Sequence, residues 1–307
     1  MSTSLTNKID FAVVISAEHA NPNGDPLNGN RPRQTYDGFG EISDVCLKRK
    51  IRNRLQDMGE QIFVQSDDRR SDDYRSLKDR YDSVSKKDDN WEPRRDACAT
   101  WFDVRAFGQV FAFKKKNKKA KKEETESTEV SEAENSVSIG IRGPVTVQSA
   151  YSLKRIIVDS LQITKSVNLE TPKNDPDARD SDTMGMKHRI GKGVYIAYGS
   201  MSPNLAARTG FSDEDAQKVK LALRSLFEND ASSARPEGSM KVVKVVWWQH
   251  NLPSGQYSSA KVHQALKDAL SADGAIDEKK VIAATPGLKP EFLDQLEGAD
   301  LAASLKR

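Results

Sequence analysis

The apolar residues of this 307-residue chain switch between a period of two and a period of about 3.6 in a definite order, and that order limits the folds open to it. IDFAVVISA sets Ile9, Phe11, Val13, Ile15 and Ala17 on one side of an extended segment, against a more polar set. A loop over 19–42 follows. Leu47, Ile51, Leu55 and Met58 then recur at helical steps behind Ser43, whose hydroxyl suits the N-cap of a helix of about four turns. WFDVRAFGQVFAF predicts a second strand over 101–113, with Phe102, Val104, Ala106, Gly108, Val110 and Ala112 on one apolar face. VSIGIRGPVTVQ resumes the alternation, and Gly143-Pro144 marks a bend in it. GVYIAYGSM reads as a strand. FSDEDAQKVKLALRSLF opens on a capping box from Ser212 to Asp215 and repeats Ala216, Val219, Leu223 and Leu226 on one helix face. KVVKVVWW is a β-branched and aromatic strand, and a helix over 259–270 precedes a tail with weaker helical signals.

Strand, helix, strand, a long insertion, strand, helix, strand is the βαββαβ plan of an α+β fold with an RRM-like (ferredoxin-like) core. The expected organisation is one such domain over 1–307. Residues 60–100 form a polar, helical insertion, 165–192 a second polar excursion, and 250–307 a C-terminal helical extension. Between 114 and 136 stands KKKNKKAKKEETESTEVSEAE, seven lysines followed by six glutamates. Such a run buries too little apolar surface to repay its ordering entropy, so a disordered loop is expected there.

Composition excludes more than it identifies. Apolar residues are 36% of the chain and charged residues 30%, and 48 basic side chains nearly balance 45 acidic ones for a net charge of +3. Any electrostatic argument must rest on where the charges sit. Cys46 and Cys98 form no metal or redox spacing, which favours a reducing compartment. No apolar run reaches membrane-spanning length, and the first strand has no basic leader before it, so a cytoplasmic protein without membrane contact is expected.

Two constellations carry chemistry. The stretch NPNGDPLNGNRPRQTYDGFGEISDVCLKRKIRNRL begins as a turn-rich loop and ends as a helix with five cations in seven positions. In the loop, Asn21 and Asn23 offer amide groups, glycines allow close approach of a ligand, and Arg31, Arg33 and Gln34 stand just upstream of the helix. On the helix, Lys48, Arg49 and Arg52 form a stripe beside the apolar arc, an arrangement able to follow a phosphate backbone regardless of sequence. A merely solvated face with cations near a helix C-terminus has the same signature. The second constellation, TMGMKHRIGKG, places Met184 and Met186 among Lys187, His188 and Arg189. Exposed thioethers could wedge between bases while the cations hold phosphates, or the methionines could simply pack under a hairpin. GKGVYIAY departs from the RRM base-stacking signature, because Val194 stands where the first ring belongs. Neither the four histidines nor Asp175, Asp177, Asp180 and Asp182 have the setting of a metal or catalytic site, and no phosphate loop is present. No enzyme, metal or cofactor is expected.

NPNGDPLNGNRPR, ISDVCLKRKIRN, FDVRAFG, IRGPV and MGMKHRIGKGVYIAYG, in this order across 21–199, make the chain resemble the Cas7 family, the repeated backbone subunit of CRISPR Cascade complexes. Within it the chain is most similar to the type I-C branch, often called Csd-two. The resemblance implies a hand-shaped protein in which 165–192 is a thumb hairpin and 60–100 a finger. Copies would stack head to tail along a guide RNA (crRNA), present it for pairing with target DNA in an R-loop, and meet the large, crRNA-processing and small subunits of the complex. It implies RNA contacts for Ser43, Lys48, Arg49 and Arg52 on the first helix, and for Met184, Met186, Lys187, His188 and Arg189 at the thumb. Lys114, Lys115, Lys116, Lys118 and Lys119 would then be a mobile finger touching DNA by charge alone, or a solvated loop, which the adjacent glutamates favour. An alternative from another class is a metal-dependent ribonuclease of the type III backbone kind, served by Asp37 or the 175–182 acids. A third is a generic monomeric RNA-binding module.

Overall fold

The computed structural model describes residues 4–87, 90–114, 136–164 and 184–298. Strand β1 (Ile9–Glu18) opens the fold, the short pair β2 (Gly24–Asp25) and β3 (Arg31–Pro32) doubles back on itself, and β4 (Phe39–Ile42) leads into helix α1 (Asp44–Asp57). Three helices follow, α2 (Leu77–Ser85), α3 (Pro93–Thr100) and α4 (Phe102–Phe107), and then a ribbon of β5 (Gly108–Lys114) and β6 (Ser136–Arg142). After β7 (Val145–Val147) and β8 (Ala150–Arg155) comes a second ribbon, β9 (Val158–Thr164) and β10 (Met184–Ile190). The remainder is β11 (Lys192–Met201), α5 (Pro203–Thr209), α6 (Asp213–Arg224), β12 (Met240–Gln249), α7 (Ser259–Ala269), α8 (Glu278–Ala284) and β13 (Pro290–Leu293).

The architecture is mixed α/β on an antiparallel sheet of order β13-β12-β1-β11-β8-β4, with β7 also paired to β11. β1 is central. It pairs along its whole length with β11 (Ile9 opposite Met201, Glu18 opposite Lys192) and on its other side with β12. A bulge between Val14 and Ile15 lets Val242, Val245 and Trp247 of β12 all reach one face despite the odd spacing. That face packs Phe11, Val13 and Ile15 against Leu47, Ile51 and Leu55 of α1 and Ala216, Val219 and Leu223 of α6, burial that stabilises by roughly 2 kcal/mol per large aliphatic side chain. Ser43 caps α1 by accepting from Cys46 N at 3.3 Å, and the Ser212–Asp215 capping box starts α6 as the spacing predicts. The second face of the sheet carries Ala12, Val14, Val246 and Trp248 beneath Val262 and Leu266 of α7 and Val281 of α8. β1 is therefore buried on both sides, where the sequence reading expects a polar second face. Asp10 sits in that face fully buried. It accepts from His250 Nε2 at 2.9 Å and lies 3.1 Å from Lys8 Nζ. His250 Nδ1 accepts from Gln256 N at 2.9 Å, so the ring proton is on Nε2.

Two expectations are corrected. WFDVRAFGQVFAF is not one strand and is not in the main sheet. Its first half is α4, and Gly108 (φ 81°) turns the chain into β5, which pairs with β6 in a separate two-stranded sheet. A Cβ at Gly108 would come within 2.2 Å of Ile141 O, so the turn needs glycine. The apolar alternation misleads because α4 is buried from two sides: Phe102 and Ala106 join the main core, Val104 a second one. The main-sheet strand after α1 is instead β7–β8. The C-terminal region is also not purely helical, since β13 pairs with β12 as the edge strand of the sheet.

The 60–100 insertion has its own core. Phe63, Tyr81, Trp101 and Phe111 meet at ring-centroid distances between 4.7 and 6.4 Å, with Trp91 beside them. Asp103, 1% exposed, joins this unit to α1, accepting from Phe63 N at 2.7 Å, Val64 N at 3.1 Å and Arg52 Nε at 2.9 Å. Asp103→Ala strands two amides and a guanidinium, so it should lower unfolding free energy in urea by about 3–5 kcal/mol. A loss under about 1 kcal/mol would show that the junction holds without the carboxylate.

Candidate nucleic-acid interface

The 19–42 loop is built rather than open. Asn21 is 2% exposed, and its Nδ2 donates to Asn30 O at 2.7 Å, so this amide shapes the loop and does not face a ligand. Gly29 and Asn30, both left-handed (φ 57° and 58°), close the turn that pairs β2 with β3. Asn23 Oδ1 accepts from both the backbone N and the Oγ of Ser43, each at 2.9 Å. The residue capping α1 is thus held by the loop, and Ser43 and Asn23 are engaged with each other. Arg33 lies 3.5 Å from Asp25, and Gln34 Nε2 donates to Ile156 O at 3.1 Å.

The cations of α1 are largely committed inside the protein. Lys48 pairs with Asp44 at 3.0 Å and Arg49 donates to Val64 O at 2.5 Å. Burial, then the neighbouring Arg52, pulls the Arg49 pKa below its ordinary value. Lys50 and Arg54, each at most 3% exposed, pair with Asp230 and with Asp57. Arg52 is bound to Asp103 and stacks on Phe107 at 5.1 Å. The stripe is therefore not a merely solvated face: Arg49, Lys50 and Arg52 tie α1 to Val64, Asp230 and Asp103, while Lys48 and Arg54 pair with acids of the helix itself.

Free positive charge lies elsewhere. In the β9–β10 ribbon, Met186 stands opposite Gln162, His188 opposite Ser160 and Arg189 opposite Asp159. Met184 and Met186 are 62% and 57% exposed, which rules out packing beneath the hairpin. With the twofold period of a strand they share a face with His188, Ser160 and Gln162. Ser160 Oγ accepts from Arg31 Nη2 at 3.0 Å and bonds His188 Nδ1 at 2.9 Å. The two constellations, some 130 residues apart in sequence, therefore meet in space. Arg31, Lys187, Arg189 and Lys192 make no ion pair among the described residues, unlike Lys48, Lys50, Arg52 and Arg54 of α1. Ser160 was not singled out by the sequence reading, although the alternation of VDSLQIT marks its strand. The first strand of this ribbon starts at Val158, ahead of the 165–192 segment expected, and 165–183 lies outside the described residues. Lys114 closes β5, and Lys115, Lys116, Lys118 and Lys119 also lie outside them. Among the described residues no group of three His, Cys, Asp or Glu side chains could hold a metal, and no helix is long and apolar enough to cross a membrane.

Lys48 and Arg52, alike in the sequence pattern, should separate on mutation. Lys48→Ala removes a half-exposed i,i+4 pair and should shift stability by no more than about 0.5 kcal/mol, whereas Arg52→Ala should cost about 2 kcal/mol. Equal thermal melts for the two variants would refute the assignment of Arg52 to the junction.

Residues 7–284 match the family model described as CRISPR-associated protein Cas7. The CRISPR-associated protein Cas7 of Haloferax volcanii is 29% identical over 237 residues, 74% of this chain and 66% of that relative. The chain thus spans just under two thirds of that protein's length. A chain of a CRISPR RNA-guided surveillance complex in a pre-nicking state superposes with a TM-score of 0.48 at 12% identity, over 97% of this chain and 99% of the other. A chain of another CRISPR RNA-guided surveillance complex gives 0.47 at 14% identity, over 96% and 92%.

Proposed function

The chain belongs to the Cas7 family of CRISPR-associated proteins, and from that premise we propose that it is a non-catalytic, guide-RNA-binding backbone subunit of a type I-C interference complex. In this reading copies stack head to tail along the crRNA and present it to target DNA, alongside the large, processing and small subunits, in the cytoplasm. The main sheet is the palm. The order β12-β1-β11-β8, antiparallel throughout with α1 and α6 on one face, supports its being RRM-like. The β9–β10 ribbon is the thumb.

One observation carries the reading: Arg31, Ser160 and His188 bring the 19–42 loop to the base of a ribbon with two exposed methionines. Unpaired cations beside exposed thioethers suit a polynucleotide whose phosphates are held and whose stacking is interrupted at intervals. A guide must be held whatever its sequence, so backbone contacts should dominate. The α1 cations then act mainly by fixing the platform from which the loop projects.

Co-expression with a CRISPR array and its processing nuclease, followed by sizing with and without EDTA, tests this. Oligomers holding intact, repeat-derived RNA, with mass rising with guide length, are expected. A monomer free of RNA would defeat the scaffold reading, and RNA shortened only when Mg²⁺ is present would favour the ribonuclease. Arg31→Ala should weaken binding alike for all guides and reduce the slope of log affinity against log salt by about 0.7. A changed sequence preference would instead assign Arg31 to base recognition.

A further inference from the structure

The second face of the sheet is only partly covered. α7 and α8 lie over β1 and β12, and beyond Leu270, at the end of α7, the faces of β11 and β8 open into a cavity of about 560 Å³. Its apolar wall is Phe39, Tyr151, Leu153, Ile196 and Tyr198. Tyr151 is 47% exposed, between Glu41 of β4 and Ile196 of β11. Tyr198 is fixed by stacking on His263 of α7, with ring centroids 4.8 Å apart. Its hydroxyl is buried without a hydrogen-bond partner among the described residues, and burial, with Asp268, pushes its pKa up to about 12. Lys267 supplies a cation to the lining, and Asp37 and Gln148 supply polar groups.

The cavity and the candidate interface share one loop. The loop that carries Arg31 and Gln34 goes on to supply Thr35, Asp37 and Phe39 to its wall. Gln34 Nε2 donates to Ile156 O at 3.1 Å, and Ile156 N donates to Gly38 O at 3.0 Å, so the two parts of the loop are held on one support.

We propose that this cavity is a nucleobase subsite that takes one base of a single-stranded polynucleotide. The base stacks on Tyr151, the polar groups meet its edge, and Lys267 holds an adjoining phosphate. Aromatic faces recognise any base, and a volume of this size suits a base with its sugar. The subsite would therefore be sequence-tolerant, as a guide-binding protein requires. The proposal rests on the nucleic-acid reading above. It adds to it a contact on the face of the sheet opposite α1.

The test uses the full-length chain with single-stranded oligonucleotides of about eight nucleotides, one RNA bearing 4-thiouridine and one DNA bearing 5-iododeoxyuridine. Ultraviolet cross-links should map to Tyr151 or Tyr198, and the oligonucleotide that gives them distinguishes a guide from a DNA strand. Tyr151→Ala should lower affinity about tenfold without changing the salt slope, while Tyr151→Phe binds like the parent. Because Tyr151 is half exposed, both variants should melt near the parent temperature, which separates binding from folding. Oligonucleotides that bind but cross-link only to the ribbon or the 19–42 loop, with Tyr151→Ala unaffected, would overturn the subsite and leave the general reading standing. Failure of every oligonucleotide to bind would overturn both. Protection of Tyr151 from iodination by added protein subunits, but not by oligonucleotide, would assign the cavity to a protein partner and overturn the proposal.

Discussion

A buried carboxylate joins the inserted aromatic unit to the first helix. Asp103 lies almost wholly out of water, and such a charge is tolerated only when its oxygens are saturated. Two consecutive backbone amides of the inserted segment and one guanidinium of α1 saturate it. Arg80 reinforces the junction from the other side, donating to Phe63 O at 2.7 Å while gripping Asp72. Phe63 is thus clamped by both its N–H and its C=O. From this point the geometry runs back along α1 to Ser43, through Asn23, and into the loop that carries Arg31.

The charge distribution follows the same logic. A nearly neutral chain with many charges can still present positive surface if its acids are spent internally. Here Asp44, Asp57, Asp103 and Asp230 neutralise four of the five α1 cations. Arg31, Lys187, Arg189 and Lys192, which make no ion pair among the described residues, stand where the loop and β9–β10 meet. Such local grouping of cations comes from spatial segregation of charge and is not visible in the net value of +3.

The sheet extends this arrangement to a second face. Because β1 is covered on both sides, its alternate residues serve two cores, one under α1 and α6 and one under α7 and α8. The second cover stops at Leu270 and leaves Tyr151 and Tyr198 lining an open cavity next to the loop. Both surfaces that could meet a polynucleotide therefore border on residues 31–39, a short length of backbone braced by β8 and Ile156.

The sequence by itself determined the elements whose signals are local. The cap at Ser43, the capping box at Ser212 and Asp215, and the one-sided periodicity of α1 and α6 depend on neighbours within one or two turns. It also singled out the 21–55 and 184–192 stretches, whose residue types are unusual for idle loops. What only the tertiary structure decided is how each group is spent. The alternation at 101–113 reads as a strand because α4 is buried from two sides, and a six-residue helix is too short to reveal its own period. Arg52 and Lys48 look alike in the sequence, yet one saturates Asp103 and the other forms a half-exposed pair on its own helix. Ser160 carries no sequence signal for its role, which exists only because Arg31 and His188 converge on it from distant segments. Local propensity acts over a few residues, whereas the availability of a charge or a hydroxyl depends on whichever part of the chain folds against it.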